Sequence, residues 1–391
     1  MPKKQHRRCH GTTLVLGAAR YFAAPCASKT RDVSTYAIPT AATPAPLSSA
    51  QRLTDSHGRA ITDLRVSVTD RCNYRCVYCR TGNDGAQYSE LPLDDYLRLI
   101  RVFVSLGIEK VRLTGGEPLL RRDLTTLIRE VAKLRTSHAP DGTPLKDGAG
   151  KMLDLAVTTN GHLLAAQAQS LREAGLTRVT VSMDAVDPDV FARITRVPGS
   201  YDRVLAGVRA AKAVGLGPVK VNCVLLRGFN DDQIVPFVHF ARSEGVILRF
   251  IEFMPLEEDR IWSPDTVIGY DELKARISAV RPLVPLRGNA PGETAQRFTF
   301  DDGIGEIGII APVSRAFCGA CSRVRLTSDG KIRTCLFSQM DHDLYSVLHR
   351  GGSDEDLVAY IRNVIEQKEA RHHIGEPGFL KPSRSMVHIG G

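Results

Sequence analysis

The chain has 391 residues, 43% of them hydrophobic, which is enough for one large domain with an elaboration or for two domains. Its formal charge of +9 invites a polyanion-binding reading, yet residues 1–50 hold seven bases against the single acid Asp32, so six of those charges sit in the first segment. The remainder has the charge balance of an ordinary enzyme, which argues against a nucleic-acid surface, and no apolar run approaches the roughly 18 to 20 residues of a membrane span.

Residues 1–50 are rich in Ala, Pro, Ser and Thr and lack a sustained apolar period. They read as a disordered or removable leader whose composition is similar to that of an organellar transit peptide. The expected location is the cytoplasm, or the mitochondrial matrix if the leader is a transit peptide. From Asp63 onward, β-rich runs at 64–69, 110–114, 154–159, 178–183, 218–226 and 247–253 alternate with helical patterns at 93–106, 122–134, 163–174, 201–214 and 231–243. Repeated βα units imply an α/β fold with a parallel sheet, doubly wound or curled as a barrel. Distinctive residues recur just past several strand ends, which favours the barrel over a single switch point. Residues 137–151 read as a mobile surface insertion. Beyond residue 255 the rhythm lapses, and 297–300 and 306–310, joined by Asp301-Asp302-Gly303, suggest a hairpin. The expected division is a leader over 1–50, a barrel over 51–255 and a smaller C-terminal region over 256–391.

Six of the nine cysteines fall into two triads. No convincing secretory signal precedes them, so a reducing compartment is expected, where grouped cysteines are metal ligands or catalytic groups more often than cross-links. Cys72-xxx-Cys76-xx-Cys79 follows the first strand. A 4Fe–4S cube usually takes four thiolates; three leave one iron open to an external ligand. Zinc, which asks for a fourth protein ligand, and three metal-free buried thiols are the alternatives. The second triad is Cys318-xx-Cys321 with Cys335. A second cluster with an open iron competes here with a zinc knuckle using His342 or His349. Cys223 reads as a small core residue, with Cys9 and Cys26 incidental in the leader.

The run Cys72-Asn73-Tyr74-Arg75-Cys76-Val77-Tyr78-Cys79 resembles the signature of radical S-adenosylmethionine (SAM) enzymes, whose fold is a partial six-stranded βα barrel. Gly115-Gly116-Glu117-Pro118 is similar to the segment of those enzymes that contacts the methionine group of SAM. With Phe317-Cys318-Gly319-Ala320-Cys321-Ser322-Arg323-Val324-Arg325-Leu326, with Val219-Lys220-Val221-Asn222, and with the terminal Ile389-Gly390-Gly391, residues 51–391 resemble the GTP 3',8-cyclase family of molybdenum-cofactor biosynthesis.

That resemblance implies two 4Fe–4S clusters, on Cys72, Cys76 and Cys79 and on Cys318, Cys321 and Cys335. It implies SAM contacts from Tyr78, Gly115, Gly116, Glu117, Asn160, Ser182 and Met254. It assigns GTP to Arg65, Arg112, Thr158, Lys220, Arg249, Arg323 and Arg325, bases that as a set suit a triphosphate. Gly390 and Gly391 are expected to reach the active site with Arg323 and Arg325. The implied chemistry is reductive cleavage of SAM to a 5'-deoxyadenosyl radical, removal of H3' of GTP, and closure onto guanine C8. The implied partners are an external electron donor, a downstream cyclic pyranopterin monophosphate synthase and a second copy in a homodimer, with no membrane and no nucleic acid.

Overall fold

The computed structural model describes residues 51–79, 86–146, 148–259, 261–286 and 292–390. The leader and Gly391 lie outside the described residues. Six parallel strands, β1 (Asp63–Ser67), β2 (Lys110–Thr114), β3 (Asp154–Thr159), β4 (Arg178–Ser182), β5 (Lys220–Leu225) and β6 (Ile247–Glu252), pair in sequential order. Their two-residue period sorts the side chains. Leu64, Val66, Val111, Leu113, Val157, Val181, Val221 and Leu248 are wholly buried in the core. Arg65, Arg112, Thr158, Ser182, Lys220, Asn222 and Arg249 alternate with them and line an interior cavity. A sequential strand order has no switch point, and side chains from all six strands share one cavity, so the sheet is curled as a barrel.

Helices α1 (Leu93–Ser105), α2 (Leu124–Val131), α3 (Leu164–Glu173), α4 (Pro188–Thr195), α5 (Tyr201–Ala213) and α6 (Ile234–Glu244) make the crossovers. The α2 helix starts two residues later than the sequence pattern suggests, because Pro118–Leu120 form a 3-10 turn and Arg121 turns to Asp123 and the Val68 carbonyl. The α4 helix was not anticipated. It is capped by Asp187, whose carboxylate accepts from the amides of Asp189 and Val190, with Pro188 in the first turn.

Strands from beyond residue 255 extend the same sheet from both edges. On the β6 side, β7 (Leu283–Pro285), β8 (Gln296–Phe300) and β9 (Glu306–Ile310) follow helix α7 (Tyr270–Val280), and β9 runs parallel to β6. On the β1 side, β10 (Arg323–Leu326) pairs parallel to β1 and carries β11 (Lys331–Arg333) and β12 (His342–Asp343). Twelve strands result, with β12 and β7 as the edges. Helices α8 (Leu344–His349), α9 (Asp354–Glu366) and α10 (Met386–Ile389) complete the chain, and all the described residues belong to one compact unit.

Described residues at both ends of the 137–151 segment are hydrogen-bonded to their surroundings. The Ser137 hydroxyl donates to the Val104 carbonyl at 2.6 Å, the Thr136 amide bonds the Lys151 carbonyl, and Arg52 donates to the carbonyls of Ala139 and Pro140. Thr136, Pro140, Lys151 and Met152 line the rim of the cavity.

Candidate active site

Strands β1 and β10 fix the two ends of the site. Cys72, Cys76 and Cys79 follow the C-terminal end of β1. Cys318 and Cys321 precede β10, whose Arg323 pairs with Asp63 at the N-terminal end of β1. A strand of five residues, about 16 Å of extended chain, therefore separates the two cysteine loops. One cavity of about 1110 Å³ reaches both triads.

At the first end, the amide of Cys79 donates to the Cys76 carbonyl in a tight turn, and the amide of Tyr74 and the side-chain amide of Asn160 donate to Cys72 Sγ at 3.4 and 3.9 Å. The loop is tied to the barrel through Tyr78, whose hydroxyl donates to Asp184 at 2.6 Å, while Asp184 also accepts from the Val224 amide at 2.8 Å. Burial pushes Asp184 up to about 6 against the pull of those two bonds. Burial also raises Cys76, with the Asp184 charge adding to it. Gly115 and Gly116 are required by close packing: a Cβ there would stand 2.2 Å from the Thr69 carbonyl and 2.3 Å from that of Arg71. Glu117 is wholly buried behind this surface, and its carboxylate accepts from the Thr159 hydroxyl and the amides of Asn160 and Leu119. It thus holds the loop that presents Asn160, and burial pushes it up to about 7.

The second end is held by Arg59. Its buried guanidinium pairs with Asp55 at 2.6 Å and donates to the carbonyls of Cys318, Glu369 and Ala370. Lys368, also buried, donates to the Thr334 carbonyl beside Cys335. Burial alone would raise Cys321, but Arg323, Lys368 and Arg59 outweigh it and the thiol is lowered. Neither histidine of the zinc alternative lines the cavity: His342 lies on β12, and His349 stacks on Tyr345 and bonds Asp95. His372, packed on Phe337, does line it.

Between the ends the cavity wall is cationic. Arg65 is lowered by burial and by Arg325, Arg112 and Arg323. Arg112 and Arg325 are each pushed down to about 10, chiefly by burial. Lys220 is pushed down to about 7 by burial and by Arg249, Arg178 and Arg112. Arg249 pairs with Glu293 at 3.1 Å but leaves its buried Nε without a partner among the described residues. Cations held together at this cost along one cavity wall are disposed to take a polyanion. Arg112 also donates to the hydroxyls of Thr158 and Thr180. Gly390 arrives beside this wall, its carbonyl accepting from Arg325; its φ is +70°, and a Cβ would meet Thr114 Cγ2 at 2.7 Å.

All the described sequence-derived site residues except Glu117 and Gly390 line the one cavity; Gly391 lies outside the described residues. Both triads fit an iron–sulfur group. All six cysteines are half-buried and, among the described residues, outside any disulfide, and amide donors already point at Cys72 Sγ. Arg59, Asp184, Asn222 and Lys368 were not singled out from the sequence as site residues. Asp184 had a signal, its place just past β4 in the motif Ser182-Met183-Asp184.

A model of the Radical SAM superfamily matches residues 66–241, and one named Molybdenum Cofactor Synthesis C matches residues 246–374. A GTP 3',8-cyclase of Xanthomonas campestris pv. campestris is 43% identical over 322 residues, covering 80% of this chain and 89% of that protein. The chain belongs to the GTP 3',8-cyclase family. A second member, from Syntrophomonas wolfei, is 40% identical over 343 residues, covering 86% of this chain and 99% of its own. Among solved structures, Streptococcus suis SuiB bound to S-adenosylmethionine shares the fold at a TM-score of 0.51 and 15% identity, over 78% of this chain and 69% of that one.

Proposed function

We propose that this chain is a GTP 3',8-cyclase that converts GTP to 3',8-cyclo-7,8-dihydro-GTP in the first step of molybdenum-cofactor biosynthesis. The observation that carries the reading is the single cavity whose two ends are the two triads and whose wall is a set of crowded cations. Cys72, Cys76 and Cys79 hold a 4Fe–4S cluster, and Cys318, Cys321 and Cys335 a second. When bound, the first cluster supplies one-electron cleavage of SAM, which yields the species that takes H3' from GTP.

The protein's own work is binding and positioning. Tyr78, Gly115, Gly116, Asn160, Ser182 and Met254 line the end where SAM binds, with Glu117 fixing the Asn160 loop. Arg65, Arg112, Lys220, Arg249, Arg323 and Arg325 take the triphosphate, and the charges that now repel one another are relieved by it. Thr158 stands in the same wall. The enclosing sheet excludes water and holds the ribose against one reacting atom. Gly390 keeps Arg325 oriented. The electron comes from an external donor, and the product passes to cyclic pyranopterin monophosphate synthase. No helix among the described residues is long and apolar enough to cross a membrane.

The test is anaerobic reconstitution followed by incubation with SAM, reductant and GTP. The expected result is about eight irons per chain, from two cubes, with formation of the cyclised nucleotide. One zinc with about four irons, the content of one cube, overturns the two-cluster assignment. SAM cleavage by a two-cluster protein without a GTP-derived product overturns the substrate.

A further inference from the structure

We propose that Asn222 binds the ribose of GTP through its side-chain amide and sets a preference for a ribonucleotide. Asn222 lies on β5, lines the cavity, and leaves its buried Oδ1 without a hydrogen-bond partner among the described residues. A buried acceptor left unpaired costs about 1–3 kcal/mol, so this oxygen marks the place of a ligand donor. Its neighbours narrow the donor. In the strand register Asn222 stands beside Ser182 of β4 on one side and Arg249 of β6 on the other. It thus sits between the end of the cavity that takes SAM and the cations that take phosphate.

An ionised phosphate has only acceptors, so it does not satisfy Oδ1. Hydroxyls of a ribose and the N–H groups of a guanine do, as do the ammonium and hydroxyls of SAM, which the experiment below tells apart. The choice between these rests on the GTP 3',8-cyclase reading: the reacting hydrogen is on ribose C3', so the ribose lies toward the first triad. Ser182 is the last residue of β4, which places the Ser182–Asn222 pair toward that same end. The ribose hydroxyls are therefore the donors that reach Oδ1, while Lys220, two residues earlier on the same face, and Arg249 hold the phosphates. The Asn222 amide also has N–H donors of its own, so either ribose oxygen is matched.

The experiment measures binding of GTP, 2'-deoxy-GTP and 3'-deoxy-GTP to the reconstituted full-length chain, with iron content and SAM cleavage recorded on the same preparations. Wild-type protein is expected to prefer GTP over at least one deoxy analogue by about tenfold to a hundredfold, as sites built around a substrate hydroxyl do. In Asn222→Ala the preference should vanish, because GTP weakens to the level of that analogue, with iron content unchanged. Asn222→Asp, which keeps an acceptor oxygen beside Arg249, should restore part of it. An Asn222→Ala protein that keeps the wild-type preference, or weakens GTP and both analogues equally, overturns the proposal and leaves the cyclase reading standing. Lost SAM cleavage with unchanged GTP binding assigns the amide to SAM and overturns it too. A wild-type protein that binds no GTP overturns both.

Discussion

The two cysteine triads have the same number of thiols and opposite electrostatic settings. The first is backed by carboxylates: Asp184 behind Tyr78, and Glu117 behind Asn160. At the second, Arg59, Arg323 and Lys368 stand around Cys321, while Cys335 is raised by burial with the Glu369 charge adding to it. The cationic surroundings run on from the second triad through Arg325, Arg65 and Arg112. In the proposed reading a polyanionic substrate is drawn to the second triad and the middle of the barrel, and the first is left for SAM. Three cysteines alone say nothing about which task each site has; the charges around them do.

The sharpest way to break this comparison is to remove one triad at a time. Cys335→Ser should lower iron from about eight to about four, one cube instead of two, abolish the cyclised product and leave SAM cleavage intact; loss of both clusters would show that the sites are not independent. Next comes the anchor of the second loop. Arg59→Gln strands the buried Asp55 carboxylate and frees the Cys318 carbonyl, at a cost of about 3–5 kcal/mol for a broken buried pair, read by chemical denaturation. An unchanged midpoint would deny Arg59 that role.

Gly390→Ala tests the tail. Its Cβ would run into Thr114 at a backbone angle that L side chains avoid, so product formation should fall by up to about a hundredfold with iron content unchanged. The mildest effect is one of pH. Lys220 is held near 7 by burial and neighbouring cations in the free protein, and a bound triphosphate favours its charged form. Below pH 7 the lysine is already charged and this term is flat. Above it, binding must take up a proton, so GTP affinity should fall with rising pH by at most about tenfold per unit. Titration calorimetry in buffers of different ionisation enthalpy reads that proton directly, and Lys220→Arg should abolish it.

The barrel strands were legible because parallel strands covered by helices run nearly continuously apolar, and each starts and ends within two residues of where the pattern places it. The α4 helix was missed although Asp187 followed by Pro188 is a cap signal, because it is short and lies inside a crossover already credited with one helix. Strand β10 was not readable. Its partner β1 lies about 260 residues earlier in the chain, and nothing local announces a parallel pairing at that range. Arg59 was hidden for the same reason: its ion-pair partner Asp55 is local, but the carbonyls it holds are 259 to 311 residues away. The cysteines and the bases beside them were visible because their chemistry is carried by residue type and spacing. Asn222 was visible only as part of a matching segment, since a buried amide oxygen without a partner among the described residues is a property of the folded wall and not of the run that contains it.

The central claim, that one cavity brings the ribose of GTP to the first triad while the second end holds the rest of the nucleotide, is tested most directly with GTP deuterated at C3'. Incubated with the reconstituted protein, SAM and reductant, it should place deuterium in the 5'-deoxyadenosine recovered. Unlabelled 5'-deoxyadenosine alongside consumed GTP would contradict the account.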